Sequence, residues 1–528
     1  VTAASSHRLW GRYGVLAISA LFIVSLSVQW SAGDIGDKCW LLLAARKWIE
    51  GGRLYRDIFE SNPPLIIWLY SLPAYLSLHL PVRDYLALVM LGLCLAALSV
   101  TVSVRLLAFH AQLAGDAYKR AQFAFLLLFI LCFYTSPAYF ADREHLFFML
   151  ALPYLLRWMP SIEGKLPIGL RVATGAMAAI GFCIKPQLGI IFVTVQLLYF
   201  LQRRSAAIVI SRENIIIYAI ACCYLLSVWC FTQEYVFVVL PMLLQTYSSY
   251  KVSPIMSLLW SGFILAIPFA DFRLRYTQSP YRRDIVYILG VCAGCLGYAL
   301  LNNGWGYTFI PLDYMIFIAT CFVYWEYLWL RNACQAKGEP CAGFIFGARA
   351  CLCSGAINAA SVVLVMGIAY TSHCRGFKEC SAQNDVSLLM QEDEAHSFGT
   401  LTIDWMLWTH LAKNNNLVWV TRFNTLWMLP KIVTGDSAFV RKNQWIVSYV
   451  GYALAQDIGH NKPDIMIVDD SPQFYKTQKH MDLVKYFSVF ADFKDAWSHY
   501  RLQTSIDFCN NHVKSSCRYA IYRRGGPA

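Results

Sequence analysis

Two groups of ionisable residues in this chain carry types and spacings suited to chemistry. Asp34, Asp37, Asp57 and Glu60 stand close together in the stretch GDIGDKCWLLLAARKWIEGGRLYRDIFESNPPL, residues 33–65, with Lys38, Arg46, Lys47, Arg53 and Arg56 among them. A carboxylate within hydrogen-bond reach of a hydroxyl can take its proton as the hydroxyl attacks. Fixed cations stabilise the charge that develops on a departing oxygen. The second group is more scattered. It comprises Asp142-Arg143-Glu144-His145, Lys185 in Lys185-Pro186-Gln187, Asn302 to Tyr307, and Asp313. Each position also has a plainer reading. Asp37 suits the N-terminus of a helix, where the dipole favours a carboxylate. Asp57 and Glu60 read equally as surface charges, the 142–145 run as a solvated loop, and Lys185 as a lysine that snorkels to the interface.

The elements that must position these residues are apolar. Of 528 residues, 58% are hydrophobic and only 14% charged, a balance that indicates a polytopic membrane protein. A span needs about 20 mostly apolar residues, and eleven segments are expected to cross: 15–32, 85–109, 122–138, 146–158, 170–184, 187–202, 214–232, 254–270, 284–301, 307–330 and 349–371. The first reads as a retained anchor. The segment 64–80 is apolar enough to be a twelfth span, but counting it would reverse every later loop. With 64–80 on the outer surface, most loop arginines and lysines fall on one side, among them Arg105, Arg120, Arg157, Arg171, Arg203, Arg212, Arg282 and Arg331. The short outer loops after Leu65 hold only Arg83, Arg143, Lys185 and Lys251. The positive-inside rule then puts the amino terminus in the cytoplasm. The formal charge of +12 is spread over these short loops, so it orients the chain and does not indicate nucleic acid.

In the first outer loop, apolar residues at 41, 42, 45, 48 and 49 have helical spacing, compatible with a helix lying in the interface. From about residue 372 the composition turns polar. Runs at 417–421, 464–468 and 519–522 read as strands, and 437–458 and 477–487 as helices, which together suggest a small α/β domain. The expected division is therefore a membrane domain, 1–371, with interfacial helices in its outer loop 33–84, and an outer α/β domain, 372–528. Four of the 18 cysteines, Cys374, Cys380, Cys509 and Cys517, fall in that outer domain, where disulfides are chemically allowed. Pairing 374–380 with 509–517 is simplest, and the crossed pairings stay open.

The motifs of the opening loop resemble the GT-C glycosyltransferases, most closely the aminoarabinose-transferase and protein-mannosyltransferase branch and its bacterial relatives. The resemblance is carried by Asp37, Ala45-Arg46, Gly52 and Tyr55-Arg56-Asp57 running into Phe59-Glu60-Ser61-Asn62-Pro63-Pro64-Leu65. It implies a GT-C-like membrane fold in the bacterial inner membrane, with the α/β domain periplasmic. It also implies a polyprenyl-phosphate sugar as donor, an extracytoplasmic glycan, lipid or protein as acceptor, and membrane lipid around the chain. Asp37 would be the base, with Asp34 or Glu60 positioning the acceptor. Lys185, Arg143 and Arg56 are the donor-phosphate candidates, and Asp57, Glu144, His145, Tyr307 and Asp313 further cleft candidates. Transfer would invert the anomeric carbon by a single displacement. Lys38 replaces the second acidic residue of the family pattern, and Ser61-Asn62 replaces its lysine. The first departure weakens any metal or paired-carboxylate role, so a divalent metal stays open as a cofactor with no ligands assigned. The second removes one expected phosphate contact.

Other function classes fit less well. A transporter or flippase of lipid-linked sugars is expected to show related halves and broken helices at the midplane, and no repeat is visible. A non-catalytic cell-envelope assembly protein would tolerate substitution of Asp37 and Glu60. No glycine-rich phosphate loop follows a strand, which argues against a soluble nucleotide-sugar enzyme.

Overall fold

The computed structural model describes residues 18–31, 37–133, 135, 139–250, 280–302, 306–337, 395–403, 406–414, 417–471, 480–510 and 515–525. By its contacts the chain divides into two units. One comprises residues 1–33, 86–226 and 251–370; the other comprises 34–85, 227–250 and 371–528.

The first unit is helical. Nine of the segments expected to cross fall on described helices, beginning with Ile18–Ser31, Asp84–Leu107, Ala117–Phe133 and Arg143–Arg157. Ile168–Cys183, Gly189–Arg203, Arg212–Phe231, Arg282–Leu301 and Ile310–Lys337 follow. The other two segments, 254–270 and 349–371, lie outside the described residues. Among the described residues, four stretches are long and apolar enough to cross a membrane by length and composition: Asp84–Leu107, Arg212–Phe231, Arg282–Leu301 and Gly306–Glu326.

The Arg143–Arg157 helix lies at the centre of this unit, buried from Arg143 through Leu156. It packs on Ile168–Cys183 and on Ile310–Lys337, while Arg282–Leu301 packs on Gly189–Arg203. Lipid is as apolar as leucine, so helices in it hold together through close approach. Glycines make that approach possible here. A Cβ at Gly294 would meet Thr194 Oγ1 at 2.7 Å, and one at Gly290 would meet Leu198 Cδ2 at 2.5 Å. Polar contacts at buried carboxylates tie the end of the unit holding the C-terminus of Arg143–Arg157. Glu213 accepts from Arg157 Nε at 3.2 Å and Arg171 Nη2 at 2.7 Å, and His110 lies 3.1 Å from Asp284.

The second unit is built on a five-stranded sheet of order β2-β1-β3-β5-β4. Its strands are β1 (Ser397–Leu401), β2 (Val418–Trp419), β3 (Ile465–Asp469), β4 (Tyr500–Asn510) and β5 (Ser515–Arg524). β1 pairs in parallel with β2 and β3, and β5 runs antiparallel to β3 and β4. The runs read as strands at 417–421, 464–468 and 519–522 fall on β2, β3 and β5. The helix expected over 437–458 is two helices, Ser437–Lys442 and Gln444–Asn461, divided at Asn443. Of the one expected over 477–487, Leu483–Phe487 is helical among the described residues. Gly399 sits where a Cβ would lie 2.6 Å from Met466 Sδ on the neighbouring strand.

The opening stretch belongs to this second unit and packs on the sheet's periphery. Asp37–Ile49 is a helix that contacts the helix Met406–Asn414. Its Trp40 ring meets Trp419 edge-on at 5.5 Å, and Lys47 Nζ donates to the Trp419 carbonyl at 2.7 Å. Farther along, Phe59 N donates to the Arg422 carbonyl at 2.9 Å, and the Phe59 ring lies 4.8 Å from Phe423. Leu65–His79 is a separate helix of 15 residues, and Asp84 pairs with Lys413 at 3.0 Å.

Candidate functional site

Within the helical unit, the start of the buried central helix gathers most of the second group of ionisable residues. The chain enters it through Ala141, whose φ of 57° is left-handed and costs a residue with a Cβ about 1 kcal/mol or more. His145 Nδ1 accepts the Ala141 N–H at 3.0 Å, which fixes the turn and leaves the ring proton on Nε2. Asp142 caps the helix by accepting from Arg143 N at 2.8 Å. The turn and cap aim Arg143 and Glu144 at the neighbouring helices.

Glu144 is fully buried. Its Oε1 accepts from Lys185 Nζ, and from Tyr298 Oη at 2.8 Å. Asn302, one turn beyond Tyr298, donates to Tyr298 Oη at 3.1 Å. Lys185 reaches this point because Lys185-Pro186 breaks the helix after Cys183 and places the lysine before a short turn, Pro186–Leu188. The guanidinium of Arg143 and the ammonium of Lys185 lie 5.5 Å and 5.2 Å from the centre of the Tyr307 ring. Such contacts contribute about 0.5–2 kcal/mol each. Tyr139 approaches the same ring at 6.1 Å.

The pair is incompletely satisfied. Glu144 Oε2 is buried and accepts no hydrogen bond among the described residues. Lys185 donates one, to Glu144, although an ammonium has three hydrogens to give. The cluster therefore has one acceptor and two donors to spare beside an aromatic ring. Asp313 stands in the first turn of Ile310–Lys337. It is half-buried, and no hydrogen bond joins it to the cluster among the described residues.

The remaining sequence-based candidates belong to the sheet-containing unit. Asp37 opens its helix and is half-buried. Glu60 is buried and acts as the acceptor that shapes its own loop. It takes hydrogen bonds from Trp40 Nε1, Ser61 Oγ at 3.1 Å, Asn62 N at 2.8 Å and Asn62 Nδ2. Asp57 holds the Tyr-Arg-Asp turn by accepting from Arg53 N at 2.9 Å and Arg53 Nε at 3.2 Å. Arg56 is exposed and pairs with Glu234. Asp34, Cys374 and Cys380 lie outside the described residues. Cys509 pairs with Ser516 across the β4–β5 ladder and Cys517 with Phe508; their side chains lie outside the description.

Lys38, standing where a second carboxylate would help to hold a cation, is buried with its ammonium 5.0 Å from the Tyr85 ring centre. No group of three or more His, Cys, Asp or Glu side chains comes together to hold a metal among the described residues. Among the described residues, this donor set does not fit a divalent ion.

Tyr298 is not legible in the sequence as a site residue, nor Lys47 as a perturbed cation. Tyr298 sits inside an apolar helix, with only its four-residue spacing from Asn302 as a signal. Lys47 looked like one of several loop cations, but burial lowers its ammonium to about 8, against the opposing pull of Asp457 and Glu50. The chain matches no family model and no curated protein.

Proposed function

We propose that the protein is a polytopic GT-C-like membrane glycosyltransferase that moves a sugar from a polyprenyl-phosphate donor to an extracytoplasmic acceptor, with inversion. The observation that carries this reading is the buried Arg143–Glu144–Lys185 cluster against Tyr307. In a protein with helices apolar enough to cross a membrane, fixed cations beside an aromatic face suit a lipid-linked phosphate with a sugar attached. Buried charge of this kind is costly unless it serves a purpose.

In the proposed step the bond between the anomeric carbon and the phosphate oxygen breaks. Polyprenyl phosphate leaves with the electron pair, while the acceptor hydroxyl attacks the opposite face and gives up its proton. The leaving group departs as an anion, so Lys185 and Arg143 stabilise the transition state by charge and no acid is required. The resemblance makes Asp37 the base, and the phosphate assignment does not depend on it. Glu60, with its four neutral donors, holds the loop's shape. The eleven-span topology, the cytoplasmic amino terminus and the periplasmic position of the sheet domain belong to the same proposal.

Native mass spectrometry of the detergent-extracted full chain tests the reading. A polyprenyl-phosphate lipid is expected to co-purify with the wild type and to be lost from the Arg143→Met and Lys185→Met variants. Equal retention by the variants would overturn the assignment. A transporter would also hold the lipid, but would not hydrolyse or transfer its sugar in vesicles.

A further inference from the structure

We infer that Glu144 is a specificity residue that accepts a hydroxyl on the carbon next to the one bearing the phosphate, so that the site selects donors whose 2-position can donate a hydrogen bond. The inference deepens the reading of the cluster as a phosphate site and rests on it.

The argument begins with the unused valences of one ion pair. Glu144 Oε1 is occupied by Lys185 and Tyr298, which fixes the carboxylate. Its Oε2, fully buried, has no donor among the described residues. A buried charged acceptor left without a donor costs several times the net value of an ordinary hydrogen bond, so a ligand that supplies one gains that amount. Lys185, held by the same carboxylate, has two further N–H donors for a phosphate oxygen. Acceptor and donors are joined by a single hydrogen bond. A ligand that engages both at once carries its phosphate oxygen and its donating group near each other, within reach of one carboxylate and the ammonium bound to it. A glycosyl phosphate meets that requirement through its 2-hydroxyl, which neighbours the anomeric oxygen, whereas the 4- and 6-hydroxyls lie across the ring. A 2-amino or 2-acetamido group also has an N–H to give, and a 2-deoxy sugar has none. The half-buried Tyr307 ring, beside both cations, offers the apolar ring face somewhere to lie.

The test needs no knowledge of the sugar. Farnesyl 2-hydroxyethyl phosphate carries the phosphodiester and one adjacent hydroxyl, and farnesyl ethyl phosphate carries the phosphodiester alone. Binding of each to the detergent-solubilised full chain is followed by tryptophan fluorescence. The wild type is expected to bind the hydroxyethyl ester about tenfold more tightly, the fold-change of one hydrogen bond to a charged group. Glu144→Gln should lose most of the preference between the two esters. A wild type that binds both esters equally overturns the inference, whatever the variant does. So does a Glu144→Gln protein that keeps the full preference. If the wild type binds neither ester, the phosphate reading itself falls and takes the inference with it.

Discussion

Removing the Lys185 ammonium should destabilise the helical unit far more than removing the whole Lys185–Glu144 pair. In Lys185→Met the fully buried Glu144 keeps Tyr298 Oη at 2.8 Å but loses its cation. Two unit charges about 3 Å apart attract by about 5 kcal/mol at an effective dielectric of 20. Breaking a buried pair from one side costs about 3–5 kcal/mol, because the surviving charge stays desolvated. Lys185→Met/Glu144→Gln leaves no such charge and keeps an amide that can still accept from Tyr298. Its cost should fall to about 1–2 kcal/mol, the loss of packing and one hydrogen bond. The double variant is then about 2–3 kcal/mol less destabilised than Lys185→Met alone, and the cost of Glu144→Gln adds to that, so the coupling across the cycle is at least about 2–3 kcal/mol, well above the few tenths expected of independent sites. The assay is thermal unfolding of the four proteins in one detergent, followed by tryptophan fluorescence and ranked at one pH. A double variant as unstable as the sum of the singles would refute the reasoning, since the two groups would then not be sharing a buried charge.

Other expectations follow from the sheet-containing unit and the helix contacts. Lys47 has a folded pKa of about 8 against an ordinary 10.5, so between these values the unfolded chain binds more protons and stability should rise with pH. The shift corresponds to at most about 3 kcal/mol, discounted to about 1 because the side chain is only half-buried. Lys47→Met should flatten the rise, and equal slopes for both proteins between pH 8 and 10 would contradict it. Glu60→Gln turns one of the loop's acceptors into a donor facing donors, and should cost about 1–3 kcal/mol of thermal stability. Gly294→Leu should separate two helices whose contact leaves no room for a Cβ beside Thr194, lowering the yield of folded, monodisperse protein while a surface change such as Val209→Leu does not. If the sheet domain is periplasmic, unreduced protein should resist alkylation at Cys374, Cys380, Cys509 and Cys517; four freely labelled thiols would exclude the disulfides.

Hydropathy and charge determined much of this protein by themselves. Apolar runs of span length mark where helices form, because each run leaves its backbone only one way to satisfy its hydrogen bonds in lipid. The break at Lys185-Pro186 and the β3 strand were legible for similarly local reasons. Strands β1 and β4 were not, since SFGTL and YRLQTSIDFCN lack a clear apolar alternation and are specified by their neighbours in the sheet. The spacing of 33–65 gave a helix and a turn, but could not say that Trp40, Lys47 and Phe59 would pack on Trp419, Arg422 and Phe423. Nor could it say that Glu60 would be consumed by its own loop. Only the tertiary structure brought Glu144, Lys185 and Tyr298 together, from positions 41 and 154 residues apart from Glu144 in the chain. Periodicity reports which face of an element is apolar. Which charges meet depends on the register between elements, set by close contacts such as those at Gly290 and Gly294.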